Sequence, residues 1–229
     1  MTSRVGVRRS TAGRRVATAL VLSTSAFLLE ACFRGKLPPR EFYRLAPPDS
    51  VVSAGRFSGA PPLTGSIAVA RYETPGIYGS GAIVYRVGSS AYGAYPSREW
   101  AIPLGQMLGA ATEEIVRRRS LTSGRVVYDP EATRREQYEW RGTVREFDEV
   151  DTPTSVAASV ALGAELVRVA DDSVIWSGSA REVEPVKESR SMDSVVAALS
   201  VAAARAVAKL TDEAASTLRR LAAAGAQGR

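Results

Sequence analysis

The sequence predicts an α+β fold: a single domain with a mostly antiparallel sheet and two helices packed on one face. Two segments carry apolar residues at helical spacing, and three long segments alternate apolar and polar residues with a period of two. Short turn sequences separate these segments. The chain has 229 residues, 45% of them hydrophobic, which is enough for one such domain and typical of a folded protein.

Residues 1–31 are predicted to be a secretory leader. A cationic stretch precedes fourteen residues without a charge, Val16–Leu29. This run is shorter than the roughly 20 residues of a membrane-spanning helix, but it suits the apolar part of a signal peptide. It ends in Leu29-Glu30-Ala31-Cys32, which resembles a bacterial lipobox. We therefore expect cleavage before Cys32, a covalent diacylglycerol and an N-acyl chain on that residue, and no other cofactor.

Two other interpretations of this segment stay open: an uncleaved anchor helix, and a buried helix whose cysteine belongs to the core. Glu30 is an unusual residue at the loose position of a lipobox. The arginine pairs of the leader raise twin-arginine export, but the residues around them match that signal poorly. Phe33, rather than an aspartate, follows Cys32. By resemblance to the sorting rules of enteric bacteria, this favours an outer-membrane lipoprotein that faces the periplasm.

Residues 32–65 are predicted to be a tether followed by an irregular Pro/Ser/Gly-rich segment, with one short strand at 41–45. Two Pro-Pro pairs, Pro47-Pro48 and Pro61-Pro62, interrupt any regular pattern. A connection of about 20 residues is uncommon in a compact domain, so we expect a surface excursion or a mobile segment.

The α+β domain is predicted to span 66–222 and to begin with a strand at 66–71. Strands at 82–87 and 91–95 are separated by Gly-Ser-Ser and form a hairpin. The first helix begins at Pro103, because proline is tolerated at the first helical position. Its apolar stripe consists of Leu104, Leu108, Ala111 and Ile115.

A short strand at 125–128 follows this helix. Long alternating segments at 137–147, 155–169 and 174–182 then predict an antiparallel meander. A final helix is expected from Ser194 to about Leu221, and residues 223–229 are expected to be a disordered tail.

The charge distribution argues against nucleic-acid binding. The net charge is +6, but residues 1–31 hold five arginines and one acid, which leaves +2 on residues 32–229. The chain has no histidine, so the commonest general base and metal ligand is missing. We expect a non-enzymatic protein without a metal site.

An aromatic cluster is the main candidate for a partner or lipid surface, although sheet packing explains the same residues. Its members are Tyr78, Tyr85, Tyr92, Tyr95 and Trp100.

Several charged groups are predicted to be ordinary surface rather than binding or catalytic sites. Solvated turns are expected for the carboxylates Asp148, Glu149, Asp151, Asp171 and Asp172. Glu146 and Asp148 share a strand face, as in a catalytic pair, but this spacing is common in strands. Arg117–Arg119 is predicted to be a charged helix end, with docking to anionic headgroups as the alternative. Gly79-Ser80-Gly81 precedes a strand, so it is a turn rather than a phosphate-binding loop.

The order and local sequences of these elements resemble the ABC-type transport auxiliary lipoprotein family. The resembling features are the lipobox Cys32, Phe42–Leu45, Ile83–Arg86, the Tyr92…Tyr95…Trp100…Pro103 stretch, Thr143–Phe147 and the Ala198–Leu210 helix. They span about residues 41 to 215, and their order and spacing carry the resemblance more than any single motif.

This resemblance implies a role in lipid traffic across the bacterial envelope. The implied partners are an Mce-domain substrate-binding protein, an ABC permease and its ATPase, together with membrane lipid; self-association into a homo-oligomer is left open. One rival is an envelope-assembly or scaffolding lipoprotein without a transport partner. A second rival is a periplasmic hydrolase that uses carboxylates.

Overall fold

The computed structural model describes residues 39–55, 57–88, 90–131, 136–187 and 191–227, so Cys32 and the predicted leader lie outside the described residues. The strands are β1 (Glu41–Tyr43), β2 (Ile67–Val69), β3 (Ala82–Val87), β4 (Ala91–Trp100), β5 (Val126–Tyr128), β6 (Tyr138–Asp151), β7 (Val156–Arg168) and β8 (Ser173–Pro185). The helices are α1 (Asp49–Val52), α2 (Leu104–Arg119) and α3 (Met192–Gln227), with a 3-10 turn at Gly76–Gly79. The predicted α+β class is confirmed.

The long strand β6 organises the sheet. It pairs antiparallel with β7 along its length, and β7 pairs in the same way with β8, as the meander prediction requires. The other edge of β6 is shared by two parallel neighbours, β2 at Tyr138–Trp140 and β3 at Asp148–Asp151. β5 extends the sheet beyond β2, whereas β4 and β1 extend it beyond β3. The sheet therefore forks into two arms, and the sequence pattern did not predict these parallel pairings.

Helix α2 begins directly after Pro103, as predicted, and buries Leu104, Leu108 and Ile115. It ends at Ser120, whose positive φ of 59° takes the chain out of the helix. The buried face of α2 joins the same core as the inner face of the sheet and α3.

Helix α3 is long and apolar enough to cross a membrane, but 72% of its most apolar window is buried inside the protein. Leu199, Val207 and Leu210 are fully buried against the sheet and α2, so α3 is a core helix. It is longer than the predicted 194–221 and continues to Gln227. Residues 223–227, part of the expected disordered tail, are helical, because the alanine-rich end favours helix.

The segment 46–65 is more ordered than the sequence predicted. It contains α1, whose Val52 is buried, and Phe57 packs against the core. The Arg219 guanidinium lies 4.9 Å from the centre of the Phe57 ring and fastens this segment to α3.

A hydrogen-bonded aromatic group ties α2 to β6 in the core. The hydroxyl of the buried Tyr72 accepts hydrogen bonds from Trp140 Nε1 at 3.2 Å and from the Thr112 hydroxyl at 2.9 Å. Trp140 also packs against Trp176, with ring centres 5.4 Å apart. Gly105 allows α2 to approach, because a Cβ there would stand 2.1 Å from the Tyr72 carbonyl oxygen.

Candidate docking surface

The β3–β4 hairpin carries four of the predicted aromatic residues, but it does not expose them equally. Tyr92 is 47% exposed, with the Arg86 guanidinium 5.7 Å from its ring centre. Tyr85 and Tyr95 are half-buried and contact each other at 4.9 Å between ring centres. Trp100 is buried and meets Phe147 edge-on at 5.8 Å. The expectation of a surface role for Trp100 is therefore wrong, because its ring fills the core.

The hydroxyl of Tyr95 forms a hydrogen bond inside the protein. It donates to Glu149 Oε2 at 2.7 Å, and Glu149 is only 4% exposed. Burial and the nearby carboxylate both raise the pKa of Tyr95, so the hydroxyl keeps its proton. The ring of Tyr85 packs directly over Gly93 of β4. A side chain at position 93 would collide with it, because a Cβ there would stand 2.4 Å from the ring. Tyr92 is thus the cluster member that is free for an external contact.

Asp148 and Glu149 are buried, which corrects the prediction that they lie in a solvated turn. β6 continues to Asp151, and the turn is formed by the residues after it. Asp148 accepts a hydrogen bond from Tyr78 at 3.1 Å and pairs with Arg86 at 2.8 Å. Burial raises the pKa of Asp148, although Arg86 acts in the opposite direction. Tyr78 is therefore also a core residue rather than part of an exposed aromatic surface.

Glu146 belongs to the same network on the sheet face opposite the helices. It pairs with Arg181 at 2.8 Å and with Arg86 at 3.5 Å, and it accepts a hydrogen bond from Ser159. Glu146 and Asp148 thus share a cation. This arrangement neutralises buried charge, which is a structural role.

The arginine cluster at the end of α2 is divided between surface and interior. Arg117 and Arg118 are exposed and pair with acids of their own helix, as a charged helix end would. Arg119 is 5% exposed and pairs with Asp212 of α3 at 2.5 Å, so the prediction of a charged helix end is wrong for this residue. It fixes the contact between the two helices.

The remaining candidate sites are ordinary turns. Asp171 and Asp172 lie in the exposed β7–β8 turn and pair with Arg168 and Arg141 at 3.2 and 3.1 Å. Gly81 ends the Gly79-Ser80-Gly81 turn with a φ of +83° and leads into β3. Within the described ranges, no group of three or more carboxylates and cysteines is placed to hold a metal ion.

Among the described residues, several grooves join segments that are far apart in the sequence, and the sequence pattern does not predict them. A polar groove of about 860 Å³ on the uncovered sheet face includes Arg71, Arg145 and Glu165. A smaller cleft of about 260 Å³ between the segment after β1 and helix α2 includes Leu45, Ile102 and Met107.

A family model described as ABC-type transport auxiliary lipoprotein component matches residues 43–212, which is most of the chain and runs from the last residue of β1 into α3. The chain belongs to this family. The resemblance found in the sequence is confirmed, and the protein is an ABC-type transport auxiliary lipoprotein. Its family is described as a lipoprotein component of ABC-type transport, which implies lipid anchoring in the cell envelope.

Solved structures with the same fold are distant in sequence. The protein XCC0632 from Xanthomonas campestris, of the DUF330 family, is 19% identical, with a TM-score of 0.65 over 80% of this auxiliary lipoprotein and 99% of that chain. An uncharacterised protein is 15% identical, with a TM-score of 0.57 over 76% of this chain and 98% of that chain. No curated protein matched the sequence. At these identities, the similarity supports the fold alone.

Proposed function

We propose that this auxiliary lipoprotein is a non-enzymatic subunit of an ABC/Mce-type transport system that moves phospholipids or other apolar molecules across the bacterial envelope. Cys32 is acylated, the domain faces the periplasm, and the anchor lies in the outer membrane. The partners are an Mce-domain substrate-binding protein, an ABC permease and its ATPase. Family membership over residues 43–212 together with the lipobox before Cys32 carries this proposal.

The chemistry of the anchor supports permanent membrane attachment. Each buried methylene contributes about 0.8 kcal/mol, and one acyl chain alone anchors a protein only weakly. The diacylglycerol and N-acyl groups expected on Cys32 supply several chains, so the protein does not need a spanning helix.

The engagement of the buried carboxylates supports a non-enzymatic role. Asp148 is bound by Tyr78 and Arg86, and Glu149 by Tyr95. A carboxylate that acts as a general base needs an orbital directed at substrate. The oxygen lone pairs of Asp148 and Glu149 are directed at neighbouring side chains instead. These acids are therefore poor candidates for the catalytic carboxylates of a hydrolase.

Metabolic labelling tests the anchor. Cells that produce the wild-type chain or Cys32→Ala are fed radiolabelled palmitate, and both forms are fractionated. We expect label on the wild type only, and release of the variant from the membrane pellet. An unlabelled wild type, or a labelled Cys32→Ala form, contradicts the proposed anchor.

Crosslinking in intact cells tests the partner. Recovery of an Mce-domain protein attached to the lipoprotein is the expected result. Recovery of cell-wall components alone would instead favour the envelope-scaffolding rival. Density-gradient separation of the membranes, with markers for each, checks the outer-membrane location in the same cells.

A further inference from the structure

One end of the sheet brings together two turns and the start of the folded chain. Val87 at the end of β3 pairs with both Ala91 of β4 and Asp151 of β6, so the β3–β4 and β6–β7 turns lie at the same end. β1 runs parallel to β4, with Glu41 opposite Arg98. The first residue of β1 therefore points toward this end, which we call the hairpin end (residues 87–88, 90–97 and 152–155).

The two turns of the hairpin end are uncharged, and the charged residues that flank them are the half-buried Asp151, opposite Val87, and the exposed Lys187 after β8. No charged residue stands between Val87 and Ser97 or between Thr152 and Ser155. Val87 is 52% exposed and Tyr92 is 47% exposed. Of the charged neighbours, Arg86 turns inward to Asp148, and Arg98 pairs with Glu41 at 3.3 Å. Tyrosine with small apolar neighbours is typical of surfaces at the level of lipid headgroups.

Hydrogen bonds between its first and last residues close the β6–β7 turn. Thr152 N–H donates to the Ser155 carbonyl at 2.9 Å, and Ser155 N–H donates to the Thr152 hydroxyl at 3.0 Å. Because burying an unpaired polar group is costly, a turn with internal hydrogen bonds approaches lipid at a lower free-energy cost.

The length of the tether favours the hairpin end as the end that meets the membrane. Nine residue steps join Cys32 to Glu41, which is about 30 Å of fully extended chain. Ala91 lies seven residues before Arg98 along β4, so the hairpin tip is about 23 Å from the level of Glu41, in the direction to which the first residue of β1 points. The tether therefore reaches the level of the tip with little length to spare.

The opposite end of the sheet fits a membrane less well. The β7–β8 turn is charged, with Arg168, Asp171 and Asp172. From strand rise and strand spacing, this turn is about 30 Å from Glu41 along the strands and about 20 Å from it across the sheet, so the tether would have to reverse direction and stretch fully to bring the turn to the level of the lipid.

We propose that the hairpin end rests on the membrane that holds the anchor, with Val87 and Tyr92 in the headgroup region. This inference depends on the proposed acylation of Cys32. The lipid surface is favoured over a protein occupant because the tether joins the domain at β1, which pairs with β4 of the hairpin, and is long enough to keep the hairpin at high effective concentration near lipid. A weak contact is then sufficient to orient the domain. The protein alternative is a partner strand added to the free edge of β4 at 91–97, where β1 does not pair.

A fluorescence-quenching experiment on the full lipidated protein tests the orientation. Cys32 is the only cysteine of the chain, and acylation blocks its sulfur, so a single introduced cysteine can be labelled with an environment-sensitive dye. Ala91→Cys places the dye at the hairpin end, and Ala170→Cys, in the β7–β8 turn, is the matched control; both positions are exposed. The proteins are reconstituted in vesicles of phosphatidylethanolamine and phosphatidylglycerol with nitroxide-labelled phospholipid.

We expect several-fold stronger quenching at residue 91 than at residue 170. Val87→Ser with Tyr92→Ser should reduce the quenching at residue 91, while the protein stays on the vesicles through its anchor. Equal quenching at both positions, or stronger quenching at residue 170, overturns the proposed orientation and leaves the anchor intact. If the dye at residue 91 is unquenched in vesicles but is shielded from water in cells, the hairpin end binds a protein partner and the proposed lipid contact is wrong. A protein that does not float with vesicles contradicts the acylation itself and the orientation with it.

Discussion

Replacing Tyr95 with phenylalanine should separate the structural tyrosine of the hairpin from the exposed one. The change removes only the hydroxyl that donates to Glu149 at 2.7 Å. Glu149 is 4% exposed, so water cannot easily take the place of this donor. A hydrogen bond to a charged group contributes about 1.5–3 kcal/mol. We expect Tyr95→Phe to lower the free energy of unfolding by about 2 kcal/mol, which is a fall in Tm of about 4–8 °C for a domain of this size.

The matched control is Tyr92→Phe. Tyr92 is 47% exposed and packs beside Arg86 through its ring, which phenylalanine retains. This variant should change stability by less than about 0.5 kcal/mol, as surface substitutions usually do. A double-mutant cycle adds a second check: Glu149→Gln removes the buried charge, so it should cost less in the Tyr95→Phe background than in the wild type.

Urea unfolding of a form that begins at residue 33, followed by the fluorescence of its three tryptophans, measures the wild type, the three single variants and the double variant. Equal stabilities for Tyr95→Phe and Tyr92→Phe, with additive effects in the cycle, would refute the reasoning. Such a result would mean that Glu149 is solvated in the native state and that Tyr95 belongs with Tyr92 on the surface.

Three further predictions concern the core. Tyr72→Phe leaves the indole N–H of Trp140 without its acceptor and should lower the unfolding free energy by about 1–3 kcal/mol, measured by urea unfolding; a loss below about 0.5 kcal/mol would contradict the network. Gly105→Ala should lower Tm despite alanine's higher helix propensity, because its Cβ would meet the Tyr72 carbonyl oxygen at 2.1 Å; a higher Tm would contradict this close approach. Burial raises the pKa of Asp148 above its ordinary value of 3.8, so its protonated form stabilises the native state at low pH and this contribution is lost as pH rises through the raised value. The stability of the wild type relative to Asp148→Asn should therefore fall as pH rises from 3.8, and a flat difference would show that Arg86 fully offsets the burial.

The local sequence pattern predicted most of the helices and strands, but the predicted ends of some of them were wrong. Alternation with a period of two reports which residues share a sheet face, and it identified β6, β7 and β8 as a meander. The same pattern loses its signal at Asp148 and Glu149, because charged residues inside a strand resemble a turn. Their burial depends on Tyr78, Arg86 and Tyr95, which lie 54 to 70 residues away in the chain. No local window includes those partners.

The candidate surface was predictable in composition but not in exposure. Tyr92 and Tyr95 were both identified from the sequence, yet one is exposed and the other is bound to Glu149. Trp100 was placed in the same group and lies in the core. Aromatic side chains suit both environments, so composition alone does not separate them.

The sequence by itself determined the α+β class, the two long helices, the meander, the family and the predicted anchor at Cys32, because each depends on residues close together in the chain or on their order. The tertiary structure decided the parallel pairings of β6, the burial of Arg119 against Asp212, and the gathering of the hairpin end beside the start of β1. The physical reason is that burial and pairing are set by contacts between distant segments. A period of two or 3.6 residues specifies which face of an element is apolar, but not which neighbour covers it.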